Sequence, residues 1–240
     1  MATYVLVHGA WHGAWCWRRV VPLLETKGHA VLTPTLSGVG ELAHLATPEL
    51  GTDDHVTDVV NALTAAGVRD AVLVGHSYGG IVIGAAAHRT PERIRHLVYL
   101  DALVPKDNAS AADVAPPAWI EMNRTLADQS GGGWLLPPPA VEHPFGITDP
   151  ADVAWVRANL TPHPLKTFTD RVRLGNPRAD SIPKTYIRCP LRANPGPDTL
   201  SHHAEAARRS PEWRYREIAS DHDPMITHPR ELAALLLEAA

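Results

Sequence analysis

The order of the secondary structure predicted for the first hundred residues constrains the fold more than any other feature. Short apolar runs typical of buried parallel strands alternate with amphipathic helical patterns, which implies right-handed βαβ units around a parallel sheet. The predicted strands are Tyr4–His8, Ala30–Thr33, Ala71–Val74 and Ile94–Leu100. The predicted helices are Trp17–Thr26, Asp53–Ala65 (with Thr52 or Asp53 as its N-cap) and Ile81–His88. The chain is therefore predicted to be an α/β protein.

This alternation breaks near Pro105 and resumes after Pro183. Between them, runs of three glycines and three prolines and several tryptophans replace the regular pattern. A disordered insert would have this density of Gly and Pro, but the tryptophans favour a packed cap of short helices. The later predicted elements are strand Lys184–Arg188, helix Thr199–Ala207, strand Trp213–Ile218 and helix Glu231–Ala239. We expect a core of residues 1–105 and 181–240 and a cap of residues 106–180.

Charge and composition exclude several classes of function. The 240 residues include 22 Lys+Arg and 26 Asp+Glu, a formal net charge of -4, so no basic field is available for nucleic acid or anionic lipid. No apolar run reaches the roughly 18 residues of a membrane-spanning helix. Two distant cysteines exclude a disulfide scaffold and favour a reducing compartment. Because Met1–Gly9 also lacks the features of a signal peptide, we expect a soluble, cytoplasmic enzyme.

The motif Gly75-His76-Ser77-Tyr78-Gly79 lies between an apolar predicted strand and an apolar predicted helix. This strand–turn–helix setting is typical of a nucleophile elbow, in which glycines permit a strained turn that raises the serine above the sheet. An incidental serine in a glycine-rich turn would not need these flanking elements. Ser77 is the predicted nucleophile.

A serine nucleophile needs a base, and the chain has 14 histidines. The base should follow a strand at the carboxyl edge of the sheet and come after the serine and the acid in the chain. His222 meets both conditions, since it lies between the last predicted strand and the last predicted helix. His202 and His203 are predicted to be solvated on a polar helix, and His228 to start the last helix.

An oxyanion hole needs two backbone N–H groups aimed at the developing negative oxygen. One should come from Tyr78, directly after the nucleophile, and the other from Ala10, in the glycine-containing loop after the first strand. We assign His8 and His12 of that loop to hydrogen bonds that stabilise it.

Three linked motifs resemble the α/β-hydrolase superfamily: residues 5–15 (VLVHGAWHGAW), residues 75–80 (GHSYGG) and the pair Asp221-His222. More narrowly, they resemble a branch containing plant methyl-salicylate esterases, plant hydroxynitrile lyases, and bacterial pyrethroid and carbendazim hydrolases. The resemblance implies an α/β-hydrolase fold, a mostly parallel sheet flanked by helices with an inserted helical cap. It also implies a serine esterase that needs no cofactor or metal.

Two positions distinguish esterases from lyases within this branch. The hydroxynitrile lyases carry a threonine where this chain has Gly9, and a lysine directly after the catalytic histidine, where this chain has Asp223. The resemblance therefore favours ester hydrolysis over cyanohydrin cleavage.

The acid departs from the family pattern. The usual aspartate stands in a Cys-x-x-Asp context, but this chain reads Cys189-Pro190-Leu191-Arg192. Related hydrolases, including haloalkane dehalogenases, place their acid after the strand that follows the nucleophile, where this chain has Asp101. We predict Asp101 as the acid, with Asp198, which also suits a helix cap, and Asn194 as alternatives.

The cap should supply a pocket for a small to medium hydrophobic ester or carbamate. The predicted substrate-binding residues are Trp11, Trp119 and Trp134, with Leu160 as a further candidate; ordinary core packing is the alternative for the cap residues. The alternative functions are a ligand-binding protein with vestigial activity on a hydrolase scaffold and, less favoured, a hydroxynitrile lyase. The oligomeric state stays open, with a homodimer as one option.

Overall fold

Six parallel strands form the sheet at the centre of the molecule. The computed structural model describes residues 1–191 and 198–239. Its strands are β1 (Thr3–Val7), β2 (Ala30–Leu32), β3 (Ala71–His76), β4 (Ile94–Leu100), β5 (Leu135–Leu136), β6 (His163–Pro164), β7 (Lys184–Arg188) and β8 (Trp213–Glu217). The large sheet has the order β2-β1-β3-β4-β7-β8, and β5 and β6 form a separate antiparallel pair. The strand order reverses between β1 and β3, which is where α/β sheets open a crevice for ligands.

Helices cover both faces of this sheet. In the described chain they are α1 (Val21–Glu25), α2 (Thr52–Ala65), α3 (Gly79–Arg89), α4 (Ala111–Val114), α5 (Pro117–Ser130), α6 (Glu142–Phe145), α7 (Pro150–Asn159), α8 (Lys166–Thr169), α9 (Pro177–Asp180), α10 (Ser201–Arg209), α11 (Pro224–Thr227) and α12 (Pro229–Leu237). Short 3-10 helices span Ala14–Trp17, Gly40–Leu45 and Pro91–Arg93. The predicted α/β-hydrolase architecture, a parallel sheet between helices, is confirmed.

Two apolar clusters form the core, one on each face of the sheet. Side chains alternate along a strand, so Val5 and Val7 of β1 join one cluster while Tyr4 and Leu6 join the other. The first cluster includes side chains of α2, α3 and α10, and the second includes side chains of α1 and α12. Because strands β3 and β4 are buried on both faces, they are the near-continuous apolar runs that the sequence displayed.

The predicted helix Trp17–Thr26 is wrong in its extent. The chain forms a 3-10 helix at Ala14–Trp17 and a separate short α1, which begins at Val21. Pro22 is the reason, since proline lacks an N–H group and fits only in the first turn of a helix.

The predicted N-cap of α2 is also wrong. Gly51 occupies the N-cap, and the carboxylate of Asp54 accepts a 2.8 Å hydrogen bond from its N–H group. The hydroxyl of Thr52 instead donates to the carbonyl oxygen of Thr167, at 2.5 Å. Thr52 thus connects α2 to the segment at residues 106–180, which we call the insertion.

The insertion holds helices α4 to α9 and the β5–β6 pair. It packs on the core from both sides: Phe145 and Val156 join one apolar cluster, and Phe168 and Val172 join the other. Residues 106–180 thus contribute side chains to both apolar clusters.

Both cysteines of the chain, Cys16 and Cys189, are buried thiols. Among the described residues, no helix has the length and apolar character that crossing a bilayer requires.

Candidate active site

Ser77 lies at a sharp turn between β3 and α3. Its φ of +54° falls in the left-handed region, which strains a residue other than glycine. The turn is tight because two glycines flank it: a Cβ atom on Gly75 would lie 2.6 Å from the carbonyl oxygen of Gly79, and one on Gly79 would lie 2.7 Å from that of His8. The sequence therefore permits a close strand–helix approach that leaves Ser77 partly exposed above the sheet.

Ser77, His222 and Asp101 form a line of hydrogen bonds at the carboxyl edge of the sheet. His222 Nε2 lies 2.9 Å from Ser77 Oγ, and His222 Nδ1 lies 2.7 Å from Asp101 Oδ2. Because an ionised carboxylate can only accept, Nδ1 carries the proton and Nε2 is free to accept the proton of the serine. Asp101 is fully buried and His222 nearly so. The arrangement can therefore remove a proton from Ser77.

Asp101 is held by the end of the neighbouring strand. Its φ is +40°, and its N–H group donates a 2.7 Å hydrogen bond to the carbonyl oxygen of Ile187 in β7. The Nη1 group of Arg188 donates to Asp101 Oδ1 at 2.5 Å, and Nη2 of Arg188 binds Asp198. Burial by itself would lower the pKa of Arg188, but the two carboxylates outweigh it and raise that pKa above its ordinary value.

The alternative acids lie apart from His222 or outside the described residues. Asp198 binds Arg188 and accepts hydrogen bonds of 3.1 and 3.0 Å from the N–H groups of Leu200 and Ser201. The N-cap of α10 is Leu200, because the helix begins two residues later than the sequence suggested, so Asp198 lies before the cap position. Asn194 lies outside the described residues.

The prediction for the paired histidines of α10 is wrong at one position. His203 is buried rather than solvated, and its Nε2 lies 3.1 Å from the carbonyl oxygen of Val114 in the insertion. His202 Nε2 lies 3.0 Å from the same oxygen. His202, by contrast, is exposed.

In the loop after β1, the side chain of His8 fixes the orientation of the peptide group between Gly9 and Ala10. His8 Nε2 accepts a 3.1 Å hydrogen bond from the N–H group of Leu36, so its proton is on Nδ1, which donates to the carbonyl oxygen of Gly9 at 2.8 Å. That carbonyl and the N–H group of Ala10 belong to one planar peptide unit and point in opposite directions. His8 thereby orients the N–H group of Ala10. Burial lowers the pKa of His8 to about 3, which keeps this histidine neutral.

The side chain of Tyr78 anchors the other predicted oxyanion donor. His55 Nε2 donates to the carbonyl oxygen of Ser37 at 2.8 Å, so His55 Nδ1 accepts the hydrogen bond from the Tyr78 hydroxyl, at 3.0 Å. Burial raises the pKa of Tyr78. Within residues 1–191 and 198–239, neither the N–H group of Tyr78 nor that of Ala10 donates to a protein acceptor. The N–H groups of Ala10 and Tyr78 thus stay candidates for the predicted oxyanion hole.

A second group of buried polar side chains lies behind His222. His76 Nε2 donates to the carbonyl oxygen of His222 at 2.9 Å, and His12 Nε2 lies 3.0 Å from Asp223 Oδ2. Potential metal-ligand atoms of His76, His222 and Asp223 come within 4.8 Å of one another. Both ring nitrogens of His222 already bind Ser77 and Asp101, so a metal ion at these residues would dismantle that arrangement.

The structure places the three predicted substrate-binding tryptophans differently. Trp11 donates from its indole Nε1 to the carbonyl oxygen of Leu136 at 3.2 Å. Its ring centroid lies 6.4 Å from that of Phe145, whose ring is nearly parallel to that of His222 at a centroid separation of 6.5 Å. Trp119 packs edge-on against Phe168, which contacts Tyr78. Leu160 is partly buried in the second apolar cluster.

Trp134 lies in the turn before β5. Its carbonyl oxygen accepts from the N–H group of Leu165 at 2.7 Å, and no ring contact within the described residues connects it to Ser77 or His222. Trp11 and Trp119 are therefore linked to the site by aromatic contacts, and Trp134 is not.

The sequence reasoning did not identify Arg188, Asp223 or Phe145. Arg188 carried a usable signal, since it is a charge at the end of a strand whose parallel neighbour ends directly before Asp101. Asp223 directly follows the predicted base, where a buried charge would need a partner. Phe145 carried no signal, because nothing local distinguishes it from a core residue.

Comparisons with known proteins extend over nearly the whole chain. The model of the alpha/beta hydrolase family matches residues 4–235. A carbendazim hydrolyzing esterase of Nocardioides sp. (strain SG-4G) is 35% identical over 246 aligned residues, which cover 98% of each chain. Methylesterase 3 of Arabidopsis thaliana is 28% identical, over 98% of this chain and 95% of its own.

A solved structure has the same fold over its full length. It is an extracellular alpha/beta-hydrolase from a Paenibacillus species, described as sharing structural and functional homology with tobacco salicylic acid binding protein 2. It matches with a TM-score of 0.83 and 26% identity and covers 100% of this chain and 99% of its own.

Proposed function

The chain belongs to the alpha/beta hydrolase family and is a carboxylic ester hydrolase, and we propose that it forms an acyl-enzyme on Ser77. The observation that carries this proposal is the pair of hydrogen bonds at His222, 2.9 Å to Ser77 Oγ and 2.7 Å to Asp101 Oδ2. A serine with a base and an orienting acid in this order is the arrangement that activates a hydroxyl for nucleophilic attack.

The first half of the reaction acylates the enzyme. Ser77 Oγ attacks the carbonyl carbon of the ester while His222 Nε2 takes its proton. The N–H groups of Ala10 and Tyr78 bind the oxygen that becomes negative. The tetrahedral intermediate then collapses, and His222 gives its proton to the leaving alkoxide.

The second half releases the acid. Water attacks the acyl-enzyme, with His222 as the base, and Ser77 recovers its proton when the intermediate breaks down. In both halves Asp101 keeps the proton of His222 on Nδ1 and stabilises the imidazolium that forms. Besides the ester and water, every step uses groups of this chain.

For the substrate, we propose a small to medium hydrophobic ester or carbamate, with methyl esters as the first compounds to test. The ring of Trp11 supports this choice, because it is partly exposed and packs near Phe145, a buried ring that lies next to His222. The relatives support it as well, because one is named for carbendazim hydrolysis and another for methyl ester hydrolysis. The indole N–H of Trp11 already binds Leu136, so this residue would offer a substrate its ring surface only.

We also propose a cytoplasmic location, and a small-molecule ester rather than nucleic acid or a membrane as the partner. Two buried thiols suit a reducing compartment, and a net charge of -4 offers no attraction to nucleic acid or anionic lipid. Fractionation of the native host and a gel-shift assay with random DNA would test these two points.

The experiment that tests the mechanism is intact mass measurement with peptide mapping after treatment with a small fluorophosphonate. We expect one adduct, on Ser77, that the His222→Ala variant does not form. Ser201→Ala, which changes an exposed serine at the start of α10, is the matched control and should label like the wild type. No adduct on folded protein would favour the ligand-binding alternative, and cyanide release without an acyl-enzyme would favour a lyase.

A further inference from the structure

Both ring nitrogens of His12 face hydrogen-bond acceptors. His12 Nδ1 lies 2.8 Å from the carbonyl oxygen of Ala10, and His12 Nε2 lies 3.0 Å from Asp223 Oδ2. A carbonyl oxygen cannot donate, and neither can an ionised carboxylate. Both bonds therefore exist together when both nitrogens carry a proton, which makes His12 an imidazolium cation.

The surroundings of His12 agree with a charged form. Burial alone would lower the pKa of His12, but the charge and hydrogen bond of Asp223 outweigh it and raise this pKa. The same pair lowers the pKa of the Asp223 carboxyl against the effect of burial. Among the other titratable groups nearby, burial lowers the pKa of His76 and of His8 to about 3 and raises that of Cys16, so these three are neutral.

Asp223 has one strong partner. Its side chain is fully buried, and its second oxygen, Oδ1, has no hydrogen bond in the described part of the chain and lies 3.5 Å from His76 Nε2. A buried carboxylate without a cation is strongly destabilising. The contact with His12 therefore gives Asp223 its charged partner, and it adds to the bonds from Asp101 and His76 that hold His222.

The contact between His12 and Asp223 joins the segment of the predicted base, His222, to the loop of the predicted oxyanion donor, Ala10. Asp223 directly follows His222, and His12 holds the carbonyl oxygen of Ala10, two residues before it in the chain. The backbone between Ala10 and His12 is strained, because Trp11 has a φ of +64°. A strained backbone persists only where its surroundings fix it, and the bond from His12 to Ala10 does so here.

We propose that His12 and Asp223 form a buried ion pair that positions the oxyanion loop relative to His222. The proposal rests on the proposed function, since it concerns the same reaction. Neither side chain touches the substrate; both are positioning residues. The pair fixes the distance between the group that takes the proton and the group that binds the oxyanion.

Two variants separate positioning from folding. In Asp223→Asn, the amide can donate to His12 Nε2 while a neutral His12 keeps its Nδ1 proton on Ala10, so both hydrogen bonds survive. In the double variant His12→Leu/Asp223→Leu, apolar side chains replace the buried pair, a change that often preserves stability. Asp152→Ala, which breaks the ion pair with Arg19 away from the site, is the matched control.

The readouts are kcat and KM for 4-nitrophenyl acetate and the urea midpoint of unfolding. For the double variant we expect kcat to fall about 100-fold with KM within about 3-fold, since a misplaced donor affects the transition state more than binding. For Asp223→Asn we expect kcat within about 5-fold of the wild type, and for Asp152→Ala no change in kcat. A folded double variant with wild-type kcat would overturn the proposal.

The protonation of His12 gives a test that needs no variant. In protein labelled with ¹⁵N-histidine at pH 7.5, the imidazole shifts of His12 should report two protonated nitrogens in the wild type and one in Asp223→Asn. A neutral His12 in the wild type would also overturn the proposal. Ser77→Ala keeps the two failures apart: if it still hydrolyses the ester, the proposed mechanism fails, whatever the ion pair does.

Discussion

Arg188 binds Asp101 through the carboxylate oxygen that His222 does not use. The Nη1 group of Arg188 lies 2.5 Å from Oδ1, and His222 Nδ1 lies 2.7 Å from Oδ2. The two oxygens of the Asp101 carboxylate therefore bind different partners, and the bond from Arg188 keeps Oδ2 directed at the imidazole of His222. The chain lacks an aspartate in the usual place after Cys189, and a cation at the end of that same strand instead fixes an aspartate of the neighbouring strand.

We predict that Asp101→Asn lowers kcat for ester hydrolysis by about 10³-fold or more, because an asparagine stabilises the wrong tautomer of the histidine. The measurement is kcat at pH 8, with circular dichroism to establish folding. Asp198→Asn is the matched control, since Asp198 also binds Arg188 but makes no contact with His222 that the structure describes. A folded Asp101→Asn enzyme with an unchanged rate would transfer the role of the acid to Asp198 or Asn194.

Removing Arg188 should destabilise the protein strongly. Arg188→Met leaves the carboxylate of Asp101 buried without its cation, and losses for such a change are about 3–5 kcal/mol. The free energy of unfolding in urea measures this loss. Arg216→Met breaks a pair with Glu238 whose side chains are each 41% exposed, so we expect a loss of at most about 1 kcal/mol. Equal losses in the two variants would contradict the prediction.

Local patterns were sufficient for most of the fold. Strands β4 and β7 have the predicted bounds, and for β4 the reason is that an apolar run identifies a buried strand without knowledge of its neighbours. The errors at α1 and α2 have a different origin. Pro22 stopped a helix that the apolar spacing favoured, and Thr52 gave its hydroxyl to the insertion rather than to its own helix.

In the candidate site too, some residues could be predicted from local patterns and others could not. Ser77, Asp101 and His222 each follow a strand, and the carboxyl ends of parallel strands meet at one edge, so sequence alone could bring them together. Arg188 and Asp101 are 87 residues apart, and His12 and Asp223 are 211 apart. Such contacts depend on strand order and loop paths, which no local pattern records. Whether the three side chains act in catalysis stays a prediction that labelling will test.

The buried histidines predict a loss of stability in acid. Burial lowers the pKa of His8 and of His76 from 6.5 to about 3, so the unfolded chain binds protons at these positions at a pH where the folded chain does not. The free energy of unfolding should therefore fall as the pH drops from about 6.5 towards 3, by up to about 1.4 kcal/mol per pH unit for each histidine.

Urea unfolding between pH 7.5 and 4.5 measures this slope. In His76→Gln the glutamine amide can still donate to the carbonyl of His222. This variant should reduce the dependence of the unfolding free energy on pH by the contribution of one histidine. His44→Gln, which changes an exposed histidine, should leave the slope unaltered. An identical slope in the wild type and His76→Gln would contradict the assignment of a neutral, buried imidazole.

Gly9 leads to the last prediction, which bears on the choice between esterase and lyase. A Cβ atom at this position would lie 2.9 Å from His76 Nδ1 and 2.9 Å from Ser77 Cβ, closer than real Cβ contacts. Gly9→Ala must therefore displace the oxyanion loop or the turn at Ser77. We expect it to cost about 1–3 kcal/mol of stability and to lower kcat about 100-fold.

Gly175→Ala is the matched control for this substitution. Nothing lies within 4 Å of a Cβ atom at Gly175, so we expect unchanged kcat and a gain of about 0.4–1 kcal/mol in the free energy of unfolding. A threonine at position 9, as in the hydroxynitrile lyases that this chain resembles, needs more room than an alanine. Gly9→Thr should consequently yield neither ester hydrolysis nor cyanide release from mandelonitrile. A folded Gly9→Thr enzyme that releases cyanide would mean that His76 and Ser77 leave more space than their contacts with Gly9 imply.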